Sequence, residues 1–337
     1  MKAVGYRHSL PISEESSLVD MELPYPSPAG RDLLVRVCAV SVNPVDAKIR
    51  LGAQPQNGEH RVLGWDASGI VEAVGLEATL FKPGDAVFYA GAIDRPGTNA
   101  ELHLVDERLV GPKPKSLSHA EAAALPLTAI TAWETLFDRL DVRKPVPGAA
   151  NAVLIIGGAG GVGSIAIQLA RQLTELTVIA TASRAETNAW VTALGAHHVL
   201  DHSRPLASQM NALAMRPPAF VFSTTQTNHH FEDIVQLIAP QGRFALIDDP
   251  DPFDVRKLKR KSVSLHWELM FTRSMFKTDD MGNQHELLAQ VSELVDAGRL
   301  KSTIAVNLGT INATNLRRAH LLIEGGKSKG KIILEGF

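Results

Sequence analysis

The stretch "IIGGAGGVGSIAIQLAR", residues 155–171, limits what this chain can fold into more than any other. It starts as an apolar strand, passes through glycines and continues at helical spacing, with Ile165, Leu169 and Leu173 on one face. Gly158-Ala159-Gly160-Gly161-Val162-Gly163 fits G-x-G-x-x-G, a pattern that gains meaning from the strand before it and the helix after it. Such glycines permit a tight turn and close backbone approach, and the helix N-terminus then offers N–H groups and a positive dipole to a pyrophosphate. The alternative is a tight strand-to-helix turn with no ligand.

Strands and helices keep alternating after this turn. "LTVIATA", "HHVLD", "AFVFST" and "RFALID" read as buried strands, and "AETNAWVTALGA" as a helix ended by Gly195. That alternation predicts a parallel sheet with crossover helices. Near Pro250 the alternation stops. "NQHELLAQVSELVDAGRL" is an amphipathic helix, with Leu287, Leu288, Val291, Leu294 and Val295 on its apolar side, and "GKIILEGF" is a short last strand expected to return to the first domain.

The first third differs. Short apolar runs such as "LLVRVCAVSVN", "SGIVEAVG", "AVFYA" and "ELHLV" are punctuated by proline and glycine, which predicts a compact β-domain with few helices. The composition shifts near Ser118. "SHAEAAALPLTAITAWETLFDRL" predicts a helix, with Ser118 as its cap and Glu121 three residues on.

Composition excludes several roles. The chain has 337 residues and a net charge of -2, so it lacks the basic field needed to grip nucleic acid or an anionic membrane. Its one cysteine, Cys38, forms no internal disulfide and builds no cysteine-rich zinc site. The N-terminus has no apolar signal core, and glycines interrupt the longest apolar run, Ala152 to Ala170. A cytoplasmic protein is expected.

The second strand of the alternating region bears on the choice of dinucleotide. An NAD site usually has Asp or Glu at that strand's end, for the ribose 2′-hydroxyl. Here the strand runs into Ser183-Arg184, and Glu186 falls in the next helix. Ser183 can donate to a 2′-phosphate and Arg184 can add charge and a planar fork, which favours NADPH. Alternatively, Arg184 is a solvated helix-start residue. Thr224, Thr225 and Ile247 follow later strands, where ligands of such sheets lie.

"SVNPVDAKIR" (41–50), "LGWDASGIVEAVG" (63–75), "FKPGDAVF" (81–88) and the glycine turn together resemble the medium-chain dehydrogenase/reductase superfamily, on its quinone oxidoreductase (zeta-crystallin-like) side, often labelled zinc-type alcohol dehydrogenase-like. "AAALPLTAITAWETLF", "LGAHHVLDH" and "GKIIL" fit it too. The resemblance covers essentially the whole chain. It implies an α/β fold with a GroES-like β-domain, residues 1–122 completed by 265–337, and a Rossmann doubly wound parallel sheet over 123–264. By analogy it also implies a homodimer.

The resemblance further implies that zinc enzymes carry a catalytic Cys where this chain has Asn43, and His-Glu where it has Trp65-Asp66. Asn is a poor zinc ligand and Trp is none. The histidines at 197, 198, 202, 229 and 230 are expected as surface or half-buried imidazoles, since neighbours on a strand point to opposite faces. Without zinc, the acceptor must already be activated, as a quinone or an α,β-unsaturated carbonyl is. Asn43 is then a candidate to bond a substrate carbonyl or the nicotinamide ribose. Lys48 stands where many quinone reductases have Tyr, as a candidate to steady an enolate or to be a plain surface lysine. Trp65 and Asp66 are candidates for the substrate pocket, or for plain packing. Thr128 matches a family position beside the nicotinamide, or is a helix hydroxyl bonded to its own backbone. Two other functions stay open: an alcohol or aldehyde dehydrogenase, and an NADPH-binding protein without turnover.

Overall fold

The computed structural model describes residues 1–56 and 58–337. Two compact units emerge, Met1–Ile130 with Phe271–Phe337, and Thr131–Met270. They part within the helix Pro126–Trp133, later than the composition shift near Ser118 suggests.

The first unit is built on the strand Asp32–Val42. Its side chains alternate between inside and outside as far as Cys38, then are buried on both faces from Ala39 to Val42. It pairs antiparallel with Ala67–Val74 along its length, with Leu102–Asp106 near its start and with Lys331–Glu335 at its end. Further strands at Ala86–Tyr89, Val110–Pro112 and Ile304–Asn307 complete a seven-stranded sheet, and a three-stranded sheet joins Val19–Glu22, Lys2–Tyr6 and Arg61–Val62. The last strand thus completes the sheet of the first domain. The pair Val42–Ile332 fixes its register.

The second unit holds a six-stranded sheet whose neighbours are all parallel. Its order is His198–Leu200, Thr177–Thr181, Ala150–Ile156, Pro218–Ser223, Arg243–Leu246 and Ser264–Trp267. Counted along the chain this is 3-2-1-4-5-6, the dinucleotide-binding order. Leu154, Val221, Phe231, Ile234 and Phe244 pack in one core on this sheet. Each such side chain taken out of water contributes about 1.5–3 kcal/mol.

Two details depart from the sequence reading. The alternation does not stop at Pro250, because Ser264–Trp267 adds a sixth parallel strand after a 3-10 helix, Val255–Lys261. Four residues with two polar side chains carry too short an apolar run to announce a strand. The long helix expected from Ser118 is three segments, His119–Ala123, Pro126–Trp133 and a π-helical stretch, Glu134–Arg139. Pro126 causes the first break, since it lacks an N–H and disfavours helical backbone at the residue before it. The Ser118 cap is present, with Glu121 N donating to Ser118 Oγ at 3.2 Å.

Candidate cofactor site and buried polar cluster

In the second unit the strand Ala150–Ile156 ends at a glycine turn, and the helix Gly161–Leu173 starts from it. Gly157 carries a φ of +80°, which favours glycine, and a Cβ there would lie inside contact distance of the Thr224 hydroxyl. At Gly163 a Cβ would run into Gly157 O and stand 2.7 Å from Gly158 Cα, so glycine lets the helix pack onto the turn. At Gly160 the nearest atom is Gly157 O, 3.5 Å away. Protein packing therefore does not demand glycine at Gly160, and a ligand lying along the turn would. The first-turn N–H groups, at Gly161, Val162 and Gly163, are of the kind that lack intrahelical partners and suit a pyrophosphate.

Neighbouring strand ends surround the turn. Thr181 Oγ1 accepts from Gly157 N at 3.0 Å, and Thr224 Oγ1 donates to Ile156 O at 2.8 Å. A methyl of Thr225 lies against Gly157, and Ile247 directly follows the strand Arg243–Leu246. The strand Thr177–Thr181 runs through Ala182 to Ser183, exposed, and Arg184, which caps the helix Ala185–Ala193. Arg184 Nη2 lies 3.5 Å from Glu186 Oε1, both side chains well exposed, a pairing worth little in water. Ser183, Arg184, Asn188 and Asp201 line an open depression. These groups fit a dinucleotide: a glycine cradle for the pyrophosphate, and an arginine at the second strand's end.

The histidines gather differently from their order in the sequence. His202 and His230 rings lie 6.3 Å apart and His229 and His230 rings 4.7 Å apart, while His197 Nδ1 accepts from Val178 N. Burial, with His229 and His202 beside it, pushes His230 down to about 4.

In the first unit three strand ends converge. Asn43 follows the strand Asp32–Val42, Asp66 precedes Ala67–Val74, and Lys331 opens the last strand. The Val42–Ile332 register sets Asn43 beside Lys331, and Ser41 N donates to Asp66 O at 3.1 Å. Asn43 and Pro44 start the helix Pro44–Gly52, with Asn43 N donating to Asp46 Oδ2 at 2.6 Å. Pro126 cannot donate at the start of its helix, and Leu127 N donates to Asp66 Oδ1 at 2.8 Å.

Asn43 Nδ2 donates to Asp66 Oδ2 at 2.8 Å. The Lys331 ammonium stands 3.0 Å from Asp66 Oδ2, donates to Val42 O at 3.1 Å and donates to Asn43 Oδ1. Asn43, Asp46, Asp66 and Lys331 are each at most 2% exposed. Burial pushes the Asp46 carboxyl up to about 7, against the pull of the Asn43 N–H and the Lys331 charge, and Asp66 adds to the rise. Burial also raises Asp66, opposed by Lys331, the Leu127 N–H and the Asn43 amide.

Among the sequence candidates, Asn43 and Asp66 are thus brought together. Lys48 is exposed on the helix Pro44–Gly52, and the buried ammonium of the cluster is Lys331. Trp65 is 1% exposed, donates from Nε1 to Ala92 O at 3.1 Å and meets Phe271 edge-on. Thr128 donates to Leu125 O at 3.0 Å. Sequence reasoning missed Gly157, Thr181 and Lys331. "IIGG" held a signal for the first, since the strand ends one glycine earlier than the motif.

Residues 29–115 match the alcohol dehydrogenase GroES-like domain, and residues 161–284 match the domain described as zinc-binding dehydrogenase. A zinc-type alcohol dehydrogenase-like protein of Staphylococcus epidermidis is 38% identical over 336 residues, 99% of each chain. The chain belongs to the medium-chain dehydrogenase/reductase superfamily. A solved structure from Rhizobium etli, titled a putative zinc-dependent alcohol dehydrogenase protein, is similar to this oxidoreductase at 64% identity with a TM-score of 0.99, covering 100% of this chain and 98% of that one. The quinone oxidoreductase from Coxiella burnetii is 27% identical with a TM-score of 0.80, covering 100% and 99%.

The zinc in the names of these superfamily relatives must be tested against this member's own residues. At the positions where its resemblance to zinc enzymes places ligands stand Asn43, Trp65 and Asp66. Asn43 Oδ1 accepts from an ammonium, the Trp65 indole faces Ala92 O, and both Asp66 oxygens accept hydrogen bonds. Among the described residues, no three His, Cys, Asp or Glu side chains are grouped to hold a metal. This donor set does not fit a catalytic zinc, which takes about three protein ligands of those types.

Proposed function

We propose that this member of the superfamily is an NADPH-dependent reductase that delivers hydride to a quinone or an α,β-unsaturated carbonyl without zinc. The observation that supports the reading is the Asn43–Asp66–Lys331 cluster, whose oxygens already accept hydrogen bonds and so suit a zinc-free site, in which a simple ketone would lack a Lewis acid to polarise it. The acceptor must then bring its own activation, as conjugated carbonyls do. The dinucleotide, when bound, supplies the hydride from C4 of its nicotinamide. Gly158, Gly160, Gly161, Val162 and Gly163 hold its pyrophosphate, Ser183 and Arg184 hold its 2′-phosphate, and Thr224, Thr225 and Ile247 flank it at the strand ends. Thr128 and Asn43 serve as fixed polar groups, and Lys48, at the surface, is the weakest of the sequence candidates. The name of the Coxiella structure supports a quinone as acceptor.

The test mixes purified protein with NADPH and a panel of quinones and enones and follows nicotinamide absorbance. Oxidation with at least one acceptor is expected. Tight NADPH binding with no oxidation by any acceptor favours the non-catalytic alternative instead. Arg184→Ala should weaken NADPH roughly ten- to a hundredfold, the worth of one charge-assisted contact, and leave NADH nearly unchanged. Equal losses for both cofactors remove the 2′-phosphate assignment.

A further inference from the structure

The Lys331 ammonium occupies a buried position lined by acceptor oxygens, one of them a carboxylate's. Three oxygens face its nitrogen: Asp66 Oδ2 at 3.0 Å, Val42 O at 3.1 Å and Asn43 Oδ1. An ammonium has three N–H donors, and each has an acceptor here. A carboxylate, an amide oxygen and a main-chain carbonyl are also the donor types that hard divalent cations take. The oxygens come from the last residue of one strand, Val42, from Asn43 just past it, and from Asp66 just before the paired strand Ala67–Val74, all in the first unit, so the strand pairing holds their residues together without help from a ligand. Lys331 is 2% exposed, and its side chain reaches this point from inside the sheet.

We propose that Lys331 is this protein's own built-in cation: its ammonium fills the pocket of oxygens from Asp66, Asn43 and Val42, positions the Asn43 amide and Asp66, and keeps divalent ions out. This deepens the zinc-free reading above, but its test reads metal binding and folding rather than turnover. With all its protons shared, Lys331 is a positioning residue and donates no proton to substrate. A divalent ion entering the cluster would meet a buried like charge and no free oxygen on Asp66. Removing the ammonium leaves the three oxygens, the nearby Asp46 carboxyl and the space of a lysine stem, so the cluster should accept an oxygen-loving cation.

The probe is Mn²⁺, which suits oxygen donors and is read by loss of its free-ion EPR signal. Wild type, Lys331→Ala, Lys331→Arg and the double variant Lys331→Ala with Asp66→Asn are titrated, with thermal melts alongside. Lys331→Ala is expected to bind about one Mn²⁺ per chain and to melt higher with it. Wild type, Lys331→Arg and the double variant are expected to bind none. If Lys331→Ala does not fold alone, it is refolded from urea with Mn²⁺ or methylammonium, and either cation is expected to restore native circular dichroism. A folded Lys331→Ala that takes no Mn²⁺, or a chain that neither cation rescues, overturns the proposal and leaves the zinc-free reading standing. Stoichiometric zinc bound by the wild type at this cluster overturns both.

Discussion

At the scale of single residues, the buried charges decide what the first unit can do. Asp46 is held near neutrality by burial, about 7 against an unfolded value of about 3.9. Its folded pKa is raised, so between those values the folded chain holds a proton that the unfolded chain has released. Stability from this group is therefore fully present below about pH 4 and is lost as pH rises to about 7. Asp46→Asn keeps an acceptor for the Asn43 N–H and removes the titration. In urea unfolding from pH 4 to 8, wild-type stability should fall relative to the variant's as pH rises, the difference isolating Asp46 from buried histidines such as His230, which titrate in the opposite sense. Parallel profiles contradict the assignment. The sequence named Asn43 and Asp66 because a motif carried them, but chose Lys48 as the ammonium. Nothing near Lys331 reveals its role, which exists only because the Val42–Ile332 register joins residues far apart in the chain.

At the scale of elements, the glycine turn separates two demands that its sequence pattern merges. Gly163 is required by packing, since a Cβ would strike the backbone of Gly157 and Gly158. At Gly160 a Cβ would make only an ordinary contact with Gly157 O, 3.5 Å away, so the proposed pyrophosphate is what it would crowd. Gly163→Ala should cost roughly 1–3 kcal/mol of stability, as overpacking does, and lose NADPH as well. Gly160→Ala should melt near wild type and still bind NADPH at least tenfold more weakly, roughly the 1.4 kcal/mol of a crowded phosphate contact. Melting curves and fluorescence titrations check both, and a Gly160→Ala protein with unchanged affinity places the pyrophosphate elsewhere. The helices Leu206–Ala212 and Thr227–Leu237 were implied only by the alternation. The strands from Ala150 to Leu246 were legible because buried parallel strands read as continuous apolar runs. Ser264–Trp267 was not, because an edge strand of four residues needs little apolar surface.

At the scale of the whole molecule, both ends of the chain build one unit, with its seven-stranded and three-stranded sheets, and the middle builds the other. The resemblance to the superfamily made this arrangement legible; the returning strand "GKIIL" has no local signal for its partner. The parallel sheet ends in Ser264–Trp267, where Trp267 is 53% exposed. An open edge with an exposed indole suits pairing with a second copy. Light scattering should report a dimer, and Leu265→Pro on that edge strand should give monomers. A monomeric wild type removes the homodimer reading. No helix among the described residues is long and apolar enough to cross a membrane.

The central claim is reduction by NADPH without a metal, and elemental analysis of active protein before and after chelation tests it most directly. The expected result is far less than one zinc per chain and an unchanged rate of NADPH oxidation with a quinone or enone acceptor. One zinc per chain, lost together with activity and restored with it, contradicts the account.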